Sequence, residues 1–304
     1  MKRMLLITAF ILMLMSLVAC GNSERGERLR VVATTTYAGD LARAIGGNAV
    51  EVITLMGVGI DPHDYQPRQS DTAAIAAADV LIVNGLNLEE RFGQVLQNLQ
   101  GTTLIVLADA LEEGDVIYED EHTPDPHIWF DVSLWAKAAE QLATTFALLD
   151  GDNAELYSRR LEAYLIELSW LDAHIRGRLD ELSPERRVLI TAHDAFAYFG
   201  RAYGVEVHAV QGISTSAEAS IADIEALAQL VASLEVPAIF VESSVPESTI
   251  RSVKEAAESL GHNVVIGGAL YSDSTGDASR ATETYIRTFR ANVDLIVNAL
   301  SEEE

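Results

Sequence analysis

Residues Asp152–Leu182, DNAELYSRRLEAYLIELSWLDAHIRGRLDEL, decide the architecture. Within them Leu161, Leu165, Leu168, Leu171, Ile175, Leu179 and Leu182 recur at steps of three and four, one apolar stripe on a single helix. Ser183-Pro184 stops it, because a residue before proline avoids helical geometry. About 30 residues at ~1.5 Å rise make a rod of roughly 45 Å, long enough to run the length of a two-lobed protein. A coiled-coil seam would use the same stripe, but this stretch is short and unrepeated. It reads as a rigid helix, residues 151–183, joining two lobes.

Short β-branched runs alternate with helical patterns on both sides of this helix, the grammar of an α/β fold with mostly parallel sheets. In the N-terminal lobe, 31–150, strands are expected at Arg30–Thr34, Val50–Leu55, Val80–Val83 and Thr103–Leu107. Helices are expected at Tyr37–Ile45, Gln69–Ala77 and Leu88–Leu99, with another after Asp131. In the C-terminal lobe, 184–304, the strands are Arg187–Thr191, Val205–Val210, Ala238–Val241 and Asn263–Ile266. Its helices are Ala217–Leu234, Ser248–Ser259 and Ala281–Leu300. Continuous apolar strands imply that helices cover both faces of each sheet.

The N-terminus speaks to location. Lys2 and Arg3 precede an apolar run, Met4–Leu17, that ends in Leu17-Val18-Ala19-Cys20. A basic start, a short apolar core and small residues at the exit describe a secretory signal, residues 1–19. Cys20 is the single cysteine and stands where a bacterial lipobox places its lipidated residue. Polar residues 20–30 suit a lipidated, flexible tether. The expected site of action is outside the cytoplasmic membrane, with contact to the membrane through the anchor alone.

A formal net charge of −25, from 21 basic and 46 acidic residues, argues against nucleic acid or an anionic membrane surface as ligand. It is compatible with gathering cations. Among the seven histidines, His63 and His127 each follow Asp-Pro, and His193 comes directly off a strand. Ligands of open α/β sheets bind beyond the carboxyl ends of strands, so these positions point to one crevice. Neutral imidazoles suit zinc, manganese and their neighbours, and a proline stiffens each loop before its ligand arrives. Asp61, Asp125, Asp131 and Asp194 lie close in sequence and are candidates to orient the imidazoles from behind. His122, His174, His208 and His262 read as structural or solvent-facing.

Several segments together resemble the solute-binding lipoproteins of zinc and manganese ABC importers. They are Gly46-Gly47-Asn48 to Val52, Leu55-Met56-Gly57 through Asp61-Pro62-His63-Asp64-Tyr65 to Pro67, and Asp125-Pro126-His127-Ile128-Trp129. Ala192-His193-Asp194-Ala195-Phe196, Gly212-Ile213-Ser214-Thr215, Glu242-Ser243-Ser244 and Tyr271-Ser272-Asp273 complete the set, in the family's order. The resemblance implies two lobes with one metal held between them by His63, His127, His193 and Asp273. It also implies a permease and ATPase as partners, and a monomer. A nitrogen-rich set favours zinc by softness, whereas the short acidic loop around His122 is similar to manganese-type members; the cargo is one Zn²⁺ or Mn²⁺ per chain. A secreted metal-dependent hydrolase is the alternative from another class, and a surface adhesin a third. No His-Glu-x-x-His helix, phosphate loop or Gly-x-Ser-x-Gly elbow supports an enzyme.

Overall fold

A computed structural model describes residues 28–301. The expected signal peptide, Cys20 and most of the expected tether lie outside the described residues. Four parallel strands, β1 (Leu29–Ala33), β2 (Val50–Thr54), β3 (Val80–Val83) and β4 (Thr103–Val106), form the first sheet in the order β2-β1-β3-β4. Val31 pairs with Val52 on one side and Val80 on the other, so β1 sits at the centre. The all-apolar β3 is wholly buried, as its sequence requires. At the edge, β2 leaves Glu51 and Ile53 exposed, so helices do not cover both faces there.

Helix α1 (Thr36–Gly46) starts at Thr35, whose side chain accepts from Ala38 N, and α2 is Gln69–Ala76. The helix expected over Leu88–Leu99 shrinks to a 3₁₀ turn (Glu90–Phe92) and a short α3 (Gly93–Gln97). Two local causes account for this. Gly85, Leu86 and Asn87 all take left-handed φ values (90°, 52° and 66°), and the Glu89 carboxylate accepts from Asn84 N (2.8 Å) and Gly85 N (3.1 Å). Gly93 then weakens what remains.

Asp131 caps α4 (Val132–Leu149), which folds back on α5 (Ala154–Leu179). The linking helix is thus 26 residues, roughly 39 Å at ~1.5 Å per residue. Its buried face carries Leu168, Leu171, Ile175 and Leu179 as expected, and extends N-terminally through Tyr157 and Tyr164.

Beyond it come β5 (Val188–His193), α6 (Ala197–Tyr203), β6 (Glu206–Gln211), α7 (Ile221–Ser233), β7 (Ala238–Glu242), α8 (Ser248–Ser259), β8 (Val265–Leu270) and α9 (Tyr285–Ser301). The strands form two parallel pairs, β5-β6 and β7-β8, rather than one continuous ladder. At the end of β5, Ala192 N and His193 N donate to the Glu242 side chain at the end of β7 (2.8 and 2.9 Å). Helix α6 is short, ended by Gly204 in the left-handed conformation (φ 71°), and lies outside the expected elements.

The main core does not stop at the lobe boundary. It runs from α1 and α4 across α5 into α9, and contains Tyr37, Trp129, Trp135, Phe196, Tyr285 and Phe289. Tyr37 stacks on Trp129 and Trp135 on Tyr285, both with centroids 5.1 Å apart. Burying one such side chain contributes about 3 kcal/mol, so parting the lobes along this seam would cost several such amounts at once.

Candidate metal centre

Each donor reaches the cleft from a different kind of element. His63 lies on the loop after β2, His127 opens a 3₁₀ turn (Ile128–Phe130), His193 is the last residue of β5, and Asp273 follows β8. All four are buried, at 5%, 0%, 0% and 2% exposure in that order. One donor atom from each lies within 4.8 Å of all the others. His63 Nε2 is 3.3 Å from His127 Nε2, and Asp273 places Oδ1 3.4 Å from His127 Nε2 and Oδ2 3.4 Å from His193 Nε2. Buried His193 Nε2 and Asp273 Oδ1 make no well-formed hydrogen bond in the described protein. Converging donor atoms left without proper partners are what a bound cation would satisfy once their protons leave.

Carboxylates fix two of the imidazoles from behind. His127 Nδ1 is 2.7 Å from Asp125 Oδ1, which also accepts from His127 N at 2.9 Å. His193 Nδ1 is 2.6 Å from Glu242 Oε2, while Glu242 Oε1 takes the two strand-end N–H groups. A carboxylate at Nδ1 holds one proton there, so the proton that yields to a metal is the one on Nε2, which faces the cleft. Asp273 Oδ2 accepts from Ser244 Oγ (2.8 Å), which fixes that carboxylate in turn. From behind the His127 loop, Asn84 Nδ2 donates to Pro126 O (2.8 Å).

The other expected orienting residues divide. Asp61 does not touch a ring: its Oδ1 accepts from His63 N (2.9 Å) and its Oδ2 from Thr215 Oγ1 (2.5 Å). The two Asp-Pro-His segments thus share one Asx-turn geometry, but only Asp125 goes on to reach its imidazole. Asp131 is spent on the N-terminus of α4, accepting from Ser133 N and Oγ (2.9 and 2.6 Å). Asp194 makes no side-chain bond to an imidazole; burial first, then the charge of Asp125, raises its carboxyl above the usual range. Glu242 and Ser244, to which the sequence assigns no role, supply the missing support. The signal for Glu242 was its place at the carboxyl end of a buried strand.

Electrostatics follow this division. Burial drives the His63 imidazolium down to about 3, and the neighbouring imidazoles reinforce it against Asp273. Burial also opposes charge on His127, but Asp125 and Asp273 outweigh it and raise this group to about 9. His193 is held well above the usual imidazole range, burial being overcome by Glu242 and Asp273. Burial would raise Asp273, yet the imidazoles hold it well below the usual carboxylate range. Positive charge is thus favoured at His127 and His193, whereas His63 stays neutral.

The remaining histidines are engaged elsewhere. His174 meets Asp294 (3.1 Å), His208 meets Glu206 (2.7 Å), His262 meets Val236 O (2.8 Å), and His122 is exposed.

Known proteins share this plan. The profile of the family described as zinc-uptake complex component A, periplasmic (ZnuA), matches residues 31–299. The manganese-binding lipoprotein MntA of Bacillus subtilis (strain 168) is 38% identical over 301 residues, 97% of this chain and 98% of the relative. The zinc-binding protein TroA of Treponema pallidum (strain Nichols) is 40% identical over 273 residues, 89% of this chain and 88% of TroA. The solved structure of periplasmic TroA superposes with a TM-score of 0.89 at 38% identity, covering 91% of this chain and 100% of that one. With a family profile and relatives of this identity spanning nearly the whole described chain, the protein belongs to the zinc-uptake component A (ZnuA) family of metal-binding proteins.

Proposed function

We propose that the protein is the extracytoplasmic substrate-binding component of an ABC importer, capturing one Zn²⁺ or Mn²⁺ between its lobes and delivering it to the permease. The observation that carries this is the closed set of four buried donors, His63, His127, His193 and Asp273, with carboxylates fixing two of the imidazoles. Such a set holds an ion, whereas catalytic zinc sites keep one position open to water. The protein is a transport component rather than an enzyme, in keeping with its family. Neither the hydrolase nor the adhesin alternative gains support from this geometry.

In this reading Asp125 and Glu242 keep the two rigid imidazoles in the right tautomer, and Asp273 supplies the negative charge that a divalent ion requires. The nitrogen-rich set binds zinc more tightly than manganese by softness, and supply decides which is carried. Ligands must be deprotonated to bind, so capture releases protons and acid weakens it. Residues 31–150 and 184–304 serve as the two lobes and 151–183 as their link. Lipidated Cys20 tethers a monomer to the membrane, and the permease with its ATPase receives the ion.

Equilibrium dialysis of the mature protein with elemental analysis tests the reading. One zinc or manganese ion per chain is expected, lost in His127→Ala and kept in His174→Ala. A wild-type chain that retains neither metal overturns it.

A further inference from the structure

The four donors are not equally fixed. His127, His193 and Asp273 are almost fully buried, and each has a side chain close behind it: Asp125 and Ser244 as hydrogen-bond partners, and Glu242 Oε2 at 2.6 Å from His193 Nδ1. His63 is the most accessible of the four, its ring has no carboxylate behind it among the described residues, and it sits on a segment, residues 57–68, with neither helix nor strand. Within its own lobe this segment is tied near its far end. Tyr65 OH donates to Asp71 Oδ2 (2.7 Å), Tyr65 stacks on Phe92 (6.1 Å), and Arg91 meets Asp64 (2.6 Å) at the surface.

The near end of the segment leans on the opposite lobe. Gly59 N donates to Ser274 Oγ (2.9 Å), and Thr215 Oγ1 donates to Asp61 Oδ2 (2.5 Å). Of these contacts, the one at Asp61 has a second consequence, because the other oxygen of the same carboxylate takes His63 N (2.9 Å). One rigid group therefore links the lobe opposite to the backbone of the most accessible ligand. A hydrogen bond to an ionised acceptor is about twice as strong as a neutral one, and a part-buried place preserves that strength.

Resting on the proposed role in metal capture, we propose that Asp61 is the latch of the cleft: its bond to Thr215 holds the His63 loop shut, and parting that bond sets the rate at which metal leaves. Asp61 is a positioning residue in this scheme, since it touches no metal. Opening then needs the loop to swing about its Tyr65 end, and the lobes themselves can stay joined along their apolar seam. Nothing covalent changes; one hydrogen bond breaks and His63 withdraws its Nε2.

The test is stopped-flow release of Zn²⁺ from the loaded mature protein into excess chelator. Thr215→Val removes the donor while keeping the shape and leaving the charge on Asp61. It is expected to speed release about tenfold, with one ion still bound per chain and the metal-free protein still folded, its melting temperature lowered by no more than about 4 °C. Thr215→Ser keeps a hydroxyl and should restore the wild-type rate within about twofold. Asp61→Asn should also speed release, and the double variant Asp61→Asn/Thr215→Val should be no faster than the faster single one, because both break the same contact. A loaded Thr215→Val protein that releases at the wild-type rate overturns the latch alone, as do single effects that multiply in the double variant. Wild-type protein that holds no ion overturns the capture reading with it.

Discussion

Two regions join the lobes, and they are built on opposite principles. Directly behind His127, the seam is aromatic and continuous: Tyr37, Trp129, Trp135 and Tyr285 stack or meet edge-on, and Tyr285 OH donates to Trp129 O (2.8 Å). At the mouth, the His63 loop meets the other lobe through isolated hydrogen bonds, Gly59 to Ser274 and Thr215 to Asp61. Apolar burial sums over many side chains and must be lost all at once, whereas single polar bonds can break one at a time. The difference places motion at the mouth and rigidity at the seam, so the long helix acts as a brace rather than a hinge.

The largest effect that can break this comparison is loss of a rigid donor. His127→Ala strands Asp125 and Asp273 as buried carboxylates without their imidazole. Metal affinity should fall ~10³-fold or more, on the order of 4 kcal/mol, in a competition titration against a chelator. His63→Ala should lose less, about 10–100-fold, because water can enter at the accessible position. Equal losses at the two positions would mean that the loop arm is as fixed as the others.

A smaller effect is expected behind the ring. Glu242→Gln keeps an oxygen for the N–H groups of Ala192 and His193 but removes the charge beside His193 Nδ1. Affinity should drop about 10–100-fold with the fold intact by circular dichroism. Unchanged affinity in this variant would assign Glu242 to strand pairing alone.

Much of this was legible beforehand, for identifiable reasons. Val80–Val83 was bounded correctly because a wholly apolar, β-branched run between turn residues has one reading. The linking helix was visible in its leucines, although Tyr157 and Tyr164, which continue its buried face, carry hydroxyls and escape a purely apolar count. His63, His127 and His193 stood out by local grammar. Asp273, set among serines and a threonine, emerged only through resemblance to a family. Asp131 shows the limit: an aspartate before an apolar helical run is equally a ring-orienting group and an N-cap, and the distance that decides is not in the local sequence. Glu242 was hidden for the same reason, since its partner His193 is 49 residues away along the chain.

The smallest effect probes a carboxylate that crosses the seam. Asp40 on α1 accepts from Tyr285 N, the first residue of α9, at 2.8 Å. Burial raises its carboxyl from 3.8 to about 6; the Tyr285 N–H and Arg43 counter this, and Glu283 and Glu167 add to it. A folded value above the unfolded one means that the folded chain binds the extra proton between about 4 and 6. Stability from this group therefore falls as pH rises through that window, and the full cost, at most about 3 kcal/mol, is present above it. Asp40→Asn keeps an oxygen for Tyr285 N and removes the charge, at the loss of about 0.3–1 kcal/mol of attraction to the N-terminus of α9. Urea unfolding of the metal-free protein should show the variant more stable by about 1–2 kcal/mol at pH 7.5, and the gain should vanish near pH 4. A gain of the same size at both pH values would trace it to packing, and no gain at either would mean that the seam tolerates this charge without cost.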